Sequence, residues 1–202
     1  MHVEERRSNM ARKPEEERRA DLIAATIHEI AAAGSLNVTT SQIAKRAGVS
    51  PGLAFHYFED KEGLFLAAMR SVLTAYSTDV KTAYRTAASP NERLEAIAKA
   101  SFGMTSARKT AIAAWVNFYV LALQSEPARK LLAIYHRRLS SNLIYALKPK
   151  AGAAAPAIAN RIAGLIDGLY LRHALNTTSD TDLAKHVVHA IEAEYAVLEN
   201  QP

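Results

Sequence analysis

Trp115, Phe118 and Tyr119 recur at three and four residues in the stretch AAWVNFYVLAL, a spacing that places the three rings on one helix face. Tyr135 belongs to the next apolar segment, and Tyr170 to the run GLIDGLYLRHAL, where Asp167 is an acid among aliphatic neighbours. Aromatic rings gathered around one carboxylate are what a quaternary ammonium ion requires. Such a cation donates no hydrogen bond and is held by the negative faces of the rings. The same residues also read as an ordinary core, with Asp167 paired to an arginine such as Arg138 or Arg161.

A second constellation lies in AKRAGVSPGLAFHYFEDKEGLF, residues 44–65. Thr40 is placed to cap a short helix through Ala47, Gly48 interrupts it, and Ser50-Pro51 restarts it with a cap and a proline at the first helical position. Two short helices joined at Ala47-Gly48-Val49 and braced by a longer one make a helix-turn-helix, whose second helix lies in the major groove of double-stranded DNA. Thr40 and Ser50 stand at helix N-termini, which offer free N–H groups and a positive dipole end to phosphate. Gly52, next to Pro51, lets backbone approach DNA closely. Leu53 and Phe55 suit thymine methyl groups, His56, Tyr57 and Lys61 can donate to phosphates, and Lys45 and Arg46 add positive charge. A helical hairpin with a solvated face is the competing reading of the same spacing.

The elements that must position these residues are helical throughout, about nine helices with no sheet and no internal repeat. Ile23, Ile27 and Ile30 mark the inner face of a first helix over 16–33. Asp60 caps a long fourth helix running from Lys61 to about Tyr84, Ser89-Pro90 starts the next, and another spans about 110–124. A helix opening at Ser125-Glu126-Pro127 ends near Leu147, and KPKAGAAAP reads as the clearest connector in the chain. Two last helices cover about 157–176 and 181–199, divided by TTSD. The expected organisation is a disordered tail over 1–15, a helix-turn-helix domain over 16–60 and a second helical domain over 61–202.

Composition bounds the function. The absence of cysteine excludes disulfides and thiolate metal sites and fits a reducing cytoplasm. The charged N-terminus has no signal-peptide core, and the apolar run AIAAWVNFYVLAL is interrupted by Asn117 and too short for a bilayer, so no membrane is expected. Net charge is +5, yet residues 1–65 hold 9 Lys and Arg against 10 Asp and Glu, so the excess lies away from the segment expected on DNA. No phosphate loop, nucleophile elbow or paired carboxylates point to an enzyme, and no cofactor is expected. Asp182, His186 and His189 share a helical face at metal-ligand spacing, but no fourth ligand accompanies them and no metal is expected.

The pattern T-x-x-x-I-A-x-x-A-G-V-S-x-G-x-x-x-x-Y-F-x-x-K-x-x-L resembles the N-terminal domain of TetR-family transcriptional repressors. Thr39, Ile43, Ala44, Ala47, Gly48, Val49, Ser50, Gly52, Tyr57, Phe58, Lys61 and Leu64 match it. Pro51 and Leu53 depart from it, because family members often carry basic or polar groups there, which shifts base readout towards shape and methyl contacts. The resemblance implies an all-α ligand-sensing and dimerisation domain after the helix-turn-helix. Its last two helices would build a four-helix bundle in a homodimer on a palindromic operator. Gly164 and Gly168, four apart, with Leu171 on the following turn, suit close helix packing there.

Three further segments resemble the choline-sensing repressors of glycine-betaine synthesis within that family. They are Ala114-Trp115…Phe118-Tyr119, Arg137-Arg138-Leu139…Ser141-Asn142-Leu143, and Leu165 to Leu175. This likeness implies choline as effector, choline uptake and oxidation genes as targets, and release from DNA on binding. A lipophilic cation acting on an efflux or lipid-metabolism repressor is the alternative. The helix from Lys61 is expected to carry the ligand's effect to the recognition helix.

Overall fold

The computed structural model describes residues 14–102, 106–175 and 182–200, and among them every regular element is helical. They are α1 (Glu15–Ala33), α2 (Thr40–Ala47), α3 (Pro51–Phe58), α4 (Lys61–Thr86), α5 (Pro90–Phe102), α6 (Ser106–Gln124), α7 (Glu126–Ala151), a single 3-10 turn (Gly152–Ala154), α8 (Ala155–Ala174) and α9 (Leu183–Glu199). Most of the expected N-terminal tail and the TTSD divider lie outside the described residues. No helix among the described residues is long and apolar enough to cross a membrane.

Local chemistry explains where the short helices begin and end. The cap of α2 is Thr39, one residue before the expected Thr40. Its hydroxyl accepts from the Gln42 N–H at 3.2 Å, and the Gln42 side chain accepts from the Thr39 N–H at 2.7 Å. This reciprocal pair satisfies two backbone donors at once, which Thr40 with Ile43 three residues on could not do. Gly48 ends α2 at φ 70°, a left-handed conformation that costs a glycine nothing. Ser50 caps α3 by accepting from the Leu53 N–H, with Pro51 as first helical residue.

The α1 core face differs from the expected stripe. Ile30 is fully buried, but Ile23 and Ile27 are only half-buried, and Leu22, Ala25 and Thr26 complete the inner face. Thr26 is tolerated there because its hydroxyl donates to the Leu22 carbonyl at 2.7 Å. The expected connector KPKAGAAAP is also largely helical. Pro149 continues α7 to Ala151, and Gly152, at φ 52°, turns the chain through the 3-10 segment into α8. The proline sits in the last turn, where the one backbone donor it lacks would have faced the carbonyl of Tyr145, an exposed residue. Buried Ala151 and Ala155 then draw this corner into the core.

One continuous core joins the two parts of the chain. α1 packs on α2, α4 and α6, while α6 also packs on α7 and α8, and α9 rests on α5 and α8. Two features seat α3 on α4. Glu59 ends α3 at φ 60°, and Asp60 caps α4 by accepting from the Gly63 N–H at 2.7 Å. A β-carbon on Gly63 would lie 2.4 Å from the Phe58 carbonyl oxygen, so only glycine fits beneath the end of α3. Gly63→Ala should therefore cost about 1–3 kcal/mol by overpacking a backbone contact that cannot yield. Thermal unfolding would show a clear fall in Tm, and an unchanged Tm would refute the close approach.

Candidate functional site

The aromatic residues converge as one cluster built from four helices. Trp115 is buried on α6, and its ring meets Phe118 at 6.1 Å, Tyr119 at 5.8 Å and Tyr135 of α7 at 5.1 Å, all edge-on. Tyr170 of α8 donates to the Ser101 carbonyl at 2.9 Å and packs against Phe102 at 5.1 Å. Trp115, Tyr135 and Tyr170 line a cavity of about 30 Å³ together with Leu73, Tyr76, Ser101 and Ile112. That volume is too small for a guest of several heavy atoms, because the rings take up most of the space between them.

Phe118, Tyr119 and Asp167 belong to the cluster but do not line this cavity. Phe118 is fully buried beside Trp115. The Tyr119 hydroxyl donates to Asp167 Oδ1 at 2.9 Å, and His136 Nε2 stands 3.7 Å from Oδ2. The arginine partners considered above are not the ones used. Arg161 forms a two-pronged ion pair with Glu194 of α9, and Arg138 lines a separate cavity between α4 and α7. Burial raises the Asp167 pKa, opposed by the Tyr119 hydrogen bond and the nearby His136. Burial and the Asp167 charge push the Tyr119 phenol well up, and burial alone is the main cause for Tyr135, so both remain neutral donors. The Tyr135 hydroxyl is buried with no hydrogen-bond partner among the described residues.

Tyr76 escaped the sequence reading because α4 was taken as a connecting helix. Leu73, Tyr76, Val80 and Tyr84 recur at three, four and four residues, a helical stripe that could have flagged it. Tyr76 packs edge-on against Tyr135 at 5.7 Å. A second missed residue is Ser125. It caps α7 by accepting from the Ala128 N–H and donates to Glu62 Oε1 at 2.6 Å, tying the α6–α7 corner to the start of α4.

Before that same first turn of α4, the short helices present their residues outward. Lys45, Arg46, Ser50, Pro51, Gly52, Phe55 and His56 are exposed, Thr40, Leu53, Tyr57 and Lys61 half-buried. Phe55 is 48% exposed although it is a large apolar ring on a well-packed helix. A β-carbon added to Gly52 would meet nothing within 4 Å, so nothing inside the chain requires glycine there. Arg46 is not a free charge, because it is paired with Glu29 of α1. The Tyr57 carbonyl accepts from Arg19 at 2.8 Å, the Arg19 guanidinium lies over Phe58 at 4.5 Å, and the Lys61 ammonium lies 5.2 Å from the Phe65 ring.

Gly164, Gly168 and Leu171 lie on the solvent face of α8, joined there by exposed Leu175, and Val197 is exposed on α9. Asp182 is engaged as the cap of α9 and as an ion-pair partner of Lys185 at 3.2 Å. Among the described residues, no group of three or more His, Cys, Asp or Glu could hold a metal ion.

Comparison with known proteins accounts for both ends of the molecule. Residues 22–68 match the family described as "Bacterial regulatory proteins, tetR family", and residues 90–195 match "BetI-type transcriptional repressor, C-terminal". The chain is 45% identical over 190 residues to the HTH-type transcriptional regulator BetI of Brucella melitensis biotype 2, covering 92% of this chain and 93% of that one. It is 44% identical over 161 residues to the regulator of the same name from Rhizobium meliloti, covering 79% of each. Among solved structures, a transcriptional regulator of Pseudomonas aeruginosa PAO1 superposes with a TM-score of 0.78 at 25% identity, covering 94% of this chain and 93% of that one. A regulator of Saccharomonospora viridis solved in complex with choline superposes with a TM-score of 0.76 at 20% identity, covering 93% and 98%, a likeness of fold. The members of these families are transcriptional regulators and not enzymes. With a capped helix-turn-helix seated on α4 and a helical sensor half matching the BetI-type profile, the chain belongs to the TetR family of DNA-binding transcriptional repressors, in its BetI-type group.

Proposed function

We propose that this repressor senses choline at the Trp115 cluster, controls genes of choline uptake and glycine-betaine synthesis, and leaves its operator when choline binds. One observation carries the reading. Trp115, Tyr135 and Tyr170 line one small cavity, the Tyr135 hydroxyl is buried without a partner among the described residues, and Tyr119, whose ring meets Trp115, donates to the Asp167 carboxylate. Ring faces would hold the trimethylammonium group, Asp167 would supply the counter-charge, and the Tyr135 hydroxyl would meet the alcohol of the ligand. The choline-bound Saccharomonospora protein, of the same fold, lends support.

The small volume of the cavity gives this reading its mechanism. Three methyl groups do not fit in about 30 Å³, so entry must separate the Trp115 and Tyr135 rings, which lie 5.1 Å apart. Trp115 is on α6, which packs on α1, and Tyr135 is on α7, whose cap Ser125 holds Glu62 at the start of α4. Both displaced helices therefore bear on the helix-turn-helix domain. In a homodimer joined through α8 and α9, supported by the exposed Leu171, Leu175 and Val197, this motion changes the spacing of two α3 helices. A palindromic operator fixes that spacing, and small changes forfeit binding.

Thermal shift in the presence of choline, betaine aldehyde, glycine betaine and a bulky lipophilic cation tests the ligand. Choline should raise Tm in the native protein and not in Trp115→Ala, whereas stabilisation by the bulky cation alone would refute choline sensing. On the DNA side, Gly52→Ala should unfold like the native protein yet bind operator roughly tenfold more weakly or worse, the scale of one lost contact. Operator affinity equal to wild type would remove Gly52 from the interface.

The raised Asp167 pKa sets a pH dependence. A carboxyl with a higher pKa folded than unfolded favours the folded state fully below the ordinary carboxylate range. That contribution is lost as pH rises from the unfolded value through the raised folded one. Asp167→Asn keeps an acceptor for Tyr119 and removes the buried charge. Its Tm should match the native protein at low pH and exceed it at neutral pH, while its affinity for choline falls. A native protein more stable than the variant at neutral pH would contradict this placement of the charge.

A further inference from the structure

Between α4 and α7 lies a second cavity, of about 290 Å³, at the lower end of the range for small-molecule sites. Leu73, Val80 and Ile134 give it an apolar wall, and the buried, unpartnered hydroxyl-bearing ring of Tyr135 lines it as well. Lys81 and Arg138 complete the lining, and no lining residue is acidic. Neither Lys81 nor Arg138 has a carboxylate partner among the described residues, as holds also for Lys45, Arg70 and Arg137, but these two alone share a cavity with an apolar wall.

Two unpaired cations beside an apolar wall are the charge complement of a small amphiphile with an anionic head. The planar fork of an arginine matches the two oxygens of a carboxylate, and a neighbouring ammonium adds a second charge-assisted bond. We infer that this cavity is a second effector site, for a short-chain organic carboxylate whose headgroup is held by Arg138 and Lys81. Its alkyl part lies on Leu73, Val80 and Ile134. An alkylammonium of equal length meets two like charges there, and an alcohol gains the wall without the ionic bonds.

This site takes the opposite charge from the one proposed for the Trp115 chamber and does not depend on what fills it. The two spaces nevertheless share Tyr76 and Tyr135 as lining residues. Filling the outer one presses on the Tyr135 ring, which meets Trp115, the single tryptophan of the chain, at 5.1 Å. Occupancy is thus readable in the fluorescence of the native protein. It also bears on α4, the helix that begins under the end of α3.

The test titrates the full chain with hexanoate, hexan-1-ol and hexylammonium, followed by Trp115 fluorescence and by calorimetry. Hexanoate should bind saturably, hexan-1-ol about tenfold more weakly or worse, and hexylammonium not at all. Arg138→Gln and Lys81→Gln, both at exposed positions and both expected to fold, should each weaken hexanoate by about tenfold and leave hexan-1-ol unchanged. Trp115→Ala, which tests the choline chamber, should keep calorimetric hexanoate binding, so the two readings fail separately. No hexanoate binding, equal binding of hexanoate and hexan-1-ol, or hexanoate binding that neither substitution weakens would overturn the inference.

Discussion

The arrangement of this repressor depends on how closely α3 sits on α4. The Phe58 carbonyl occupies the place where any side chain at Gly63 would begin, and the Glu59 backbone is held at a positive φ to make the reversal. Neither group has slack. The end of the recognition helix and the first turn of α4 therefore move as one body, because separating them would expose Phe58 and Phe65, both nearly fully buried. A displacement of α4 anywhere along its length reaches DNA without a flexible joint to absorb it. The Ser125–Glu62 hydrogen bond places a second grip on the same first turn, so α4 and the α6–α7 corner act at one point.

The sensor half is arranged in a complementary way, tightly packed but not satisfied. Its aromatic rings meet edge-on and leave little void, which is the stable arrangement for rings without a guest. Against this, Tyr135 keeps a buried hydroxyl without a partner, and Asp167 keeps a carboxylate partly withdrawn from water with a phenol as its hydrogen-bond partner. On the proposed reading, a ligand that brings a positive charge and a hydrogen-bonding group meets both of these groups only if the rings part, so binding and motion are one event, as a population shift between two states requires.

Much of this was legible in the chain, and the limits have physical causes. Helix number, the turn at Gly48, the Ser50-Pro51 start and the Asp60 cap followed from local chemistry, because capping and positive-φ turns are decided within a few residues. The Trp115, Phe118 and Tyr119 spacing gave a true helix face. What failed was anything set by tertiary packing. KPKAGAAAP looked like a linker because Pro149 and Gly152 are local breakers, yet buried Ala151 and Ala155 hold it in the core as helix and one tight turn. The partner of Asp167 was sought among arginines, since charge suggests charge, whereas the fold brings a tyrosine 48 residues distant. Tyr76 shares a helical stripe with Leu73, Val80 and Tyr84 that the sequence shows, but its packing against Tyr135 follows only from the crossing of α4 and α7.

Charge distribution links these parts to the choice of switch. The first 65 residues carry no net positive excess, and Arg46 is tied to Glu29, so the DNA-facing surface has few free cations. The contacts proposed for DNA are ones that depend on fit: the capped N-termini of α2 and α3, the bare Gly52 backbone, and the exposed ring of Phe55. Contacts of that kind weaken steeply with misplacement, unlike a diffuse electrostatic hold. On the proposed mechanism, a protein bound in this way lets go after a shift of α4, and the parting of the Trp115 and Tyr135 rings is what delivers that shift.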